Sequence, residues 1–368
     1  MVLRVNSKKD TLLISLLAVF IGILLGVVIL IASGHSPMIL FNALLRGTFG
    51  INLTMGTGLN LRYLGEFIVF SMPIILTGLS VGFAYRTGLF NIGAEGQVMV
   101  GGMASVVVAI MVPLPGVLHV IACVAAGALA GALWGFIPGL LKSKFNVHEV
   151  VVCIMLNYTG MYFSNWVVRA LPGSTESKTA MIPASASLNS DFLSGLTGNS
   201  RLNWGILIVI ASVLLYWFII EKTSFGYSLR ATGFNKEGAR YAGLKVDRNI
   251  ITSMMISGAF AGLAGTIVAL GVFNQGRTLA AFENYGFDGI AVGLVGACNA
   301  IGIVLAGLLF GMLKVAQPIM QIAGVPKQIG EIISSSIVLF VAMQYGIKII
   351  IGRIAKRRLE KKEGSVSQ

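Results

Sequence analysis

Charged residues are scarce in this sequence. They make up 11% of its 368 residues, whereas 56% of the residues are hydrophobic. Soluble domains carry roughly 25% charged residues. This composition excludes an ordinary soluble domain and predicts an all-α polytopic membrane protein. The 46 glycines agree with that interpretation, since close helix packing in lipid favours small residues.

Histidine and cysteine are also rare, with three of each. The odd number of cysteines, all in apolar stretches, excludes a disulfide framework. His148 and Glu149 begin a zinc-protease motif, but Val152 stands where the second histidine would lie. The sequence has no glycine-rich phosphate-binding motif and no nucleophile motif. We therefore expect no catalytic residue, no metal site and no cofactor bound by this chain, which disfavours a membrane enzyme.

Long apolar runs predict about ten transmembrane helices. The runs lie at 11–33, 64–84, 93–112, 117–141, 150–169, 203–220, 249–271, 286–297, 299–316 and 328–350. The first run is longer than a signal-peptide core and has no cleavage pattern after it, so we expect a retained helix. The region 286–316 either crosses the membrane twice or contains a re-entrant half-helix. Together these runs predict a single transmembrane domain for 1–368, with its membrane core at 11–350.

The distribution of positive charge predicts the orientation of the chain. Its net charge is +13, and basic stripes interleaved with aromatic residues are absent, so nucleic-acid binding is not expected. If both termini are cytoplasmic, 19 of the 27 Lys and Arg residues lie on the cytoplasmic side. That bias follows the positive-inside rule. The sequence therefore predicts two cytoplasmic termini and a basic cytoplasmic tail at 351–368.

The segment 221–249 is a basic, polar interruption between two apolar runs, with six Lys and Arg residues. Within it, Asn235 can cap a short helix and Glu237 suits the positive end of the helix dipole. Gly243 can end the helix in a left-handed conformation. The segment could dock a soluble motor protein, or it could be a solvated connector that touches only lipid headgroups.

Two further polar segments, 34–62 and 171–202, lie on the predicted external side. Both could dock an external partner, and both could be loose connectors. For the middle of 171–202, which is rich in Ser, Thr, Asn and Gly, we favour a loose connector.

Glycines recur at every fourth position in three places. They are Gly127, Gly131, Gly135 and Gly139; Gly258 and Gly262; and Gly307 and Gly311. This spacing lets helix backbones approach closely. We expect the glycines to serve packing within one subunit first, and dimerisation only second.

A short motif occurs twice, as GLFNIG at 88–93 and GVFNQG at 271–276. The two copies face opposite sides in the predicted topology, as an inverted repeat requires, and glycine-broken segments at matching places often mark a transport path. Coincidence among glycine-rich turns is the alternative. Ionisable residues near spans are candidates for the same path, since buried charges are costly, although a structural role is also open for them. The path residues that we predict are Phe90, Asn91, Glu95, Gln97, Asn157, Phe273, Asn274 and Asp288.

Three stretches carry a family resemblance. The 221–249 segment with SGAFAGLAG at 257–265, and YGFDGIAVGLVG at 285–296, resemble permeases of the ribose and branched-chain amino-acid class of ABC importers. The stretch GLFNIGAEGQ at 88–97 resembles the subgroup that imports nucleosides with a lipoprotein receptor of the basic-membrane-protein kind. The linker at 297–300 is tighter than the glycine-rich linker usual in the family.

The resemblance implies a type II ABC importer-like permease in the bacterial cytoplasmic membrane. Its partners would be an ATP-binding subunit that holds ATP and Mg²⁺, a second permease and an external solute-binding lipoprotein. The coupling helix would span 235–242. Residues expected to contact the ATPase are Tyr227, Arg230, Asn235, Lys236, Glu237, Arg240 and Gly243. The expected solute is a nucleoside; the alternatives are a sugar or another small polar solute, and an ion-coupled transporter, which needs no docking helix.

Overall fold

The computed structural model describes residues 8–56 and 58–343, and this part of the chain is helical, with two isolated β-bridges and no strand. The helices are α1 (Lys8–Ala32), α2 (Met38–Phe49), α3 (Leu61–Arg86), α4 (Ala94–Met111), α5 (Gly116–Phe145), α6 (Glu149–Ala170), α7 (Asp191–Leu196), α8 (Gly205–Lys222), α9 (Ser224–Phe234), α10 (Lys236–Tyr241), α11 (Val246–Ile267), α12 (Tyr285–Val295), α13 (Ala300–Ile322) and α14 (Lys327–Ala342). A 3-10 helix spans Ala184–Ala186, and a π-helix, Val268–Phe273, continues α11. The tail at 351–368 and the end of the last predicted span lie outside the described residues.

Among the described helices, seven are long and apolar enough to cross a membrane: α3, α4, α5, α6, α8, α13, and α11 with its π-helical extension. Each of them coincides with a predicted span to within about six residues. Helix α12 has 11 residues, or about 16 Å at 1.5 Å per residue. It therefore covers only about half of a hydrocarbon core of roughly 30 Å. Helix α2 lies in the segment 34–62, where no helix is predicted.

The chain divides into two compact units. In one unit, which contains α1, the first half of α2, the end of α13 and α14, Gly26 of α1 meets the side chain of Ile333 of α14. The other unit is Leu44–Ala316. Its centre is α3, which is buried along nearly all of its second half, with α4, α8, α11 and α12 packed around it.

Glycines line the contact between α5 and α11 in the larger unit. A Cβ atom added to Gly131 would collide with the carbonyl oxygen of Gly258, and one added to Gly262 would collide with that of Gly127. Helix α13 packs closely against α3 in the same way, since a Cβ atom added to Gly307 would collide with the side chain of Ile75. These contacts confirm that the glycine repeats serve packing within one chain.

The 171–202 segment is folded onto the end of the α11 helix, so the prediction of a loose connector is wrong for its middle. The Ile182 N–H donates to the carbonyl oxygen of Asn274 at 3.0 Å, and the Leu188 N–H donates to that of Leu270, also at 3.0 Å. Both partners are more than 80 residues away in sequence. Local composition does not encode such contacts, which explains why the polar residues suggested a loose chain.

Candidate functional site

The helix formed by α11 and its π-helical extension ends abruptly. Asn274 follows it with a left-handed φ of 54°. The chain then runs irregularly to Asn284, whose φ is also left-handed at 68°, and α12 begins at the next residue. Short π-helical turns are frequent at functional sites. Helices α11 and α12 are thus two pieces joined by an irregular stretch, the 275–284 segment.

The 275–284 segment runs alongside α6. Asn165 of α6 accepts a hydrogen bond from the Leu279 N–H and donates one to the Leu279 carbonyl oxygen, both at 2.8 Å. Seven residues earlier on α6, the Tyr158 ring lies 4.9 Å from that of Phe282. Tyr158 and Asn165 are thus about 10 Å apart along the axis of α6. Because irregular backbone cannot face lipid, such a segment must pack against protein or line a water-filled cavity.

Glu95, at the start of α4, holds the far end of the 275–284 segment. Its side-chain oxygens accept hydrogen bonds from the Asn284 N–H at 2.9 Å and the Gly286 N–H at 2.6 Å. Glu95 is 1% exposed. Thr77 of α3 adds a bond of 2.8 Å to the Tyr285 carbonyl oxygen. A carboxylate suits the positive end of a helix, so Glu95 anchors the first turn of α12 inside the protein.

A cavity of about 60 Å³ opens beside the break, between α4, α6 and the 275–284 segment. Phe273 lies on its wall, and the Arg277 guanidinium stacks on the Phe273 ring at 3.4 Å from the centroid. Arg277 also donates from Nη2 to Glu283 Oε1 at 2.7 Å. Ser164 of α6 contributes a buried hydroxyl. Only Phe273 of this group was predicted. The basic and acidic residues that follow the second motif could have indicated Arg277 and Glu283, whereas no local signal indicates Ser164.

The first motif lies in a different environment, within the core. Asn91 is fully buried and donates to Gln97 Oε1 at 2.8 Å and to Ser257 Oγ at 2.7 Å. Asn157 accepts a hydrogen bond from the Gly96 N–H at 2.8 Å. These polar side chains cross-link α4, α6 and α11 through bonds inside the chain. Their predicted role in a solute path stays a prediction.

The second motif has different partners. The Asn274 side chain accepts a hydrogen bond from Ser187 Oγ at 2.8 Å and lies on a separate cavity of about 300 Å³ beside α7. Phe90 is half-buried like Phe273. Asn91, however, does not share the left-handed backbone of Asn274. The two motifs are therefore alike in sequence, but their asparagines differ in backbone conformation and in partners.

Asp288 of α12 forms an ion pair with Lys314 of α13, with Lys314 Nζ 2.7 Å from Asp288 Oδ2. Both side chains are mostly buried, at 20% and 27% exposed respectively. An ion pair in this position offsets the cost of placing either charge in the membrane. The pair ties the half-helix α12 to α13.

The 221–249 loop contains α9 and α10. Asn235 caps α10 by accepting a hydrogen bond from the Gly238 N–H at 2.9 Å, and Gly243 has a left-handed φ of 80° after the helix ends. Both local predictions are confirmed. Asn249 of α11 donates to Thr232 Oγ1 at 2.9 Å and fastens the loop to the membrane helices. The loop is thus in contact with the start of α11.

The surface of this loop is polar but carries exposed aromatic rings. Glu237 is 81% exposed, and it pairs with Arg240 at 3.4 Å. Arg230 instead bonds Glu221 at 3.1 Å, and Lys236 is partly buried. Three exposed aromatic side chains accompany these charges: Tyr227, Phe234 and Tyr241. Phe234 and Tyr241, which are more than 90% exposed, were not predicted to be contact residues. Exposed aromatic rings of this kind suit contact with a protein partner.

These features define a class of protein. A chain that crosses the membrane repeatedly, with an irregular segment and a half-length helix beside an internal cavity, has the architecture of a solute transporter. Its sequence matches the family described as branched-chain amino acid transport system / permease component over residues 63–343. The chain belongs to that family and is a multi-pass membrane protein.

Three individual permeases are similar to most of the chain. The chain is 44% identical to the guanosine ABC transporter permease protein NupP of Bacillus subtilis (strain 168), over 95% of this chain and 99% of that protein. It is 34% identical to the nucleoside ABC transporter permease protein NupB of Lactococcus lactis, over 94% of both chains. It is 32% identical to the glucose ABC transporter permease protein TsgB13 of Haloferax volcanii, over 88% of this chain and 85% of that protein. No solved structure matches the chain significantly.

Proposed function

We propose that this chain is the membrane-spanning permease subunit of an ATP-driven importer and that its solute is a nucleoside. The observation that carries the proposal is the end-to-end similarity to two permeases named for guanosine and nucleoside transport. The cavity beside the 275–284 segment supports it, because an aromatic ring and an ion pair on one wall suit a flat solute with polar edges.

A sugar is the second candidate solute, since the permease named for glucose is 32% identical to this chain. Sugars and nucleosides share hydroxyl groups that can bond polar side chains. They differ in the flat base, which stacks well on an aromatic face. The Phe273 ring on the cavity wall therefore favours the nucleoside.

We further propose one transmembrane domain for the whole chain, in the bacterial cytoplasmic membrane, with ten membrane segments and two cytoplasmic termini. In this topology the 275–284 segment and α12 together complete one crossing. Two contacts support such a path: Thr278 bonds Ser177, and Cys298 bonds Tyr216 in the second half of α8. An inverted repeat of the two motifs stays a hypothesis within this proposal.

The partners form the next part of the proposal. An ATP-binding subunit, which holds ATP and Mg²⁺, docks on the 221–249 loop. A second permease completes the path, and an external lipoprotein delivers the solute to the side of the 171–202 segment. The proposed ATPase contacts are the seven residues predicted above, Tyr227, Arg230, Asn235, Lys236, Glu237, Arg240 and Gly243, together with the exposed rings of Phe234 and Tyr241.

Reconstitution tests the function. The chain is placed in liposomes with its ATPase, second permease and receptor, and accumulation of labelled guanosine, adenosine and glucose is measured. We expect ATP-dependent nucleoside accumulation that survives collapse of ion gradients. Accumulation of glucose without nucleoside would favour the sugar permease. Accumulation by the chain alone, driven by an ion gradient, would favour a secondary transporter and refute the proposal.

Docking is tested separately by copurification. Glu237→Lys places a positive charge on the most exposed acidic position of the loop, and we expect the ATPase subunit to be lost from the purified complex. The matched control is Glu176→Lys, an exposed acidic residue in the 171–202 segment. Retention of the ATPase by Glu237→Lys, or its loss from both variants, would contradict a docking role for α10.

A further inference from the structure

Arg277, Phe273 and Glu283 form a compact stack on the wall of the 60 Å³ cavity. The flat guanidinium of Arg277 covers the Phe273 ring at 3.4 Å from its centroid, and its Nη2 donates to Glu283 Oε1 at 2.7 Å. Arginine is suited to this double role, because its planar fork stacks on rings and matches carboxylates. The guanidinium therefore lies over the Phe273 ring and donates a hydrogen bond to the Glu283 carboxylate.

A second observation marks the same cavity as a binding site. Ser164 lies on the wall of this cavity and is 6% exposed, and its buried hydroxyl has no hydrogen-bond partner among the described residues. A buried hydroxyl with no partner costs free energy. The cavity has room for a few water molecules, since one water needs roughly 10–15 Å³. It has no room for a base while Arg277 lies on Phe273.

We propose that Phe273 and Glu283 form a subsite for a guanine base and that Arg277 occupies this subsite when solute is absent. The inference rests on the proposed function and deepens it. The guanine edge that carries N1–H and the 2-amino group repeats the donor fork of a guanidinium. A guanine base can thus replace Arg277 by stacking on the ring and donating both hydrogens to the carboxylate, in the charge-assisted, bidentate form that carboxylates accept.

The chemistry of this subsite also discriminates between bases. Adenine presents an acceptor at N1 and no donor at C2, so it would place a lone pair against the Glu283 carboxylate. Hypoxanthine, the base of inosine, keeps the N1–H and lacks the 2-amino group. We therefore expect its binding to be intermediate between that of guanine and that of adenine. A site built to accept donors rejects an analogue that lacks them, because its own buried groups are then unpaired. The expected order of preference is guanosine, inosine, adenosine.

Replacement of Arg277 also suits a transporter. The incoming base replaces the stacking and the carboxylate contact of Arg277 with its own. Little net affinity is therefore gained, and the solute is free to leave. When the base moves on, Arg277 returns to Phe273 and Glu283. The Ser164 hydroxyl is available to a hydroxyl or carbonyl oxygen of the passing solute.

The test compares uptake of guanosine, inosine and adenosine by the assembled importer in liposomes. The receptor is the same in every assay, so any change in the ratio of kcat/KM values between solutes belongs to the permease. For Glu283→Gln, we expect the guanosine-to-adenosine ratio to fall about tenfold, as loss of a charge-assisted hydrogen bond requires. For Phe273→Leu, uptake of all three nucleosides should fall by similar factors, because stacking does not distinguish the bases. Glu331→Gln, at an exposed ion pair of α14 and outside the cavity, is the matched control and should leave the ratio unchanged.

The variant Arg277→Ala provides a second readout that does not depend on the carboxylate being altered. It frees Glu283, so the guanosine-to-adenosine ratio should rise. If Glu283→Gln fails to assemble, this variant carries the test, and an unchanged ratio would overturn the inference. An unchanged ratio in an assembled Glu283→Gln importer would overturn it as well. Absence of ATP-driven nucleoside uptake by the unmodified importer would instead refute the proposed function.

Discussion

Replacing Glu95 by Gln changes one atom of a side chain that anchors α12. The carboxylate accepts two backbone hydrogen bonds, from Asn284 at 2.9 Å and Gly286 at 2.6 Å. Glutamine has nearly the same size and shape, so the packing around position 95 is preserved. The substitution therefore isolates the electrostatic part of the anchor from its volume.

The magnitude follows from the two hydrogen bonds. The carboxamide keeps one oxygen for one backbone N–H and turns its NH₂ group towards the other. A buried N–H without a partner costs about 1–3 kcal/mol. Loss of the negative charge at the start of α12 costs up to about 2 kcal/mol in a buried position. We expect Glu95→Gln to destabilise the larger unit by about 1–5 kcal/mol.

The assay is thermal unfolding of the purified chain in detergent, together with ATP-driven uptake by the assembled importer. Glu331→Gln is the matched control, since Glu331 is half-exposed and pairs with Lys327 one turn away. An exposed pair of this kind contributes less than about 0.5 kcal/mol. We expect a clearly lower unfolding temperature and reduced uptake for Glu95→Gln, and values close to the unmodified chain for Glu331→Gln.

One result would refute this reasoning about Glu95. If Glu95→Gln unfolds at the same temperature as the unmodified chain, negative charge contributes nothing to holding α12. Glu95 would then serve through its shape, and a neutral carboxyl group would explain the geometry equally well.

Three further predictions concern the scaffold. Gly131→Ala should destabilise the chain by about 1–3 kcal/mol, because its Cβ would strike the α11 backbone, whereas Gly195→Ala, with nothing within 4 Å, should not; equal melting temperatures would contradict the glycine contact. Asp288→Leu and Lys314→Met should each lower the folded yield in membranes, and the double variant should recover it, since removing one partner leaves a buried charge unpaired. Asn91→Leu should lower both uptake and solute-independent ATPase activity of the complex, because its hydrogen bonds are internal; intact ATPase activity with lost uptake would favour a role in the path.

Much of this fold could be predicted from the sequence because the signals are local. Hydropathy alone placed the seven long apolar helices, since a membrane span needs only length and composition. The cap at Asn235 and the helix end at Gly243 depend on a few adjacent residues, and both are present. The glycine spacing likewise predicted close packing before the partner helix was known.

The features that the sequence did not reveal depend on distant contacts. The 171–202 segment is ordered by backbone bonds to the end of the α11 helix, as from Ile182 to Asn274. Glu95, which anchors α12, lies 189 positions before Asn284 and 191 positions before Gly286 in the sequence. The cavity brings Ser164 together with the 275–284 segment through the packing of α6. No local pattern specifies which of the possible partners is reached.

The hydrogen bonds also distinguish polar groups that hold the structure together from polar groups that could contact a solute. Sequence patterns do not make this distinction. A buried polar group costs free energy unless it has a partner, so a group satisfied within the chain has little left to offer a solute. Asn91, Gln97 and Glu95 are satisfied in this way. Ser164 has no such partner among the described residues. Arg277 and Glu283 on the same cavity do pair with each other, but their side chains stay 27% and 26% exposed, so they are not closed off within the core. We therefore propose the 275–284 segment as the place to seek the solute, whereas Glu95, just after the first motif, holds the end of that segment in place.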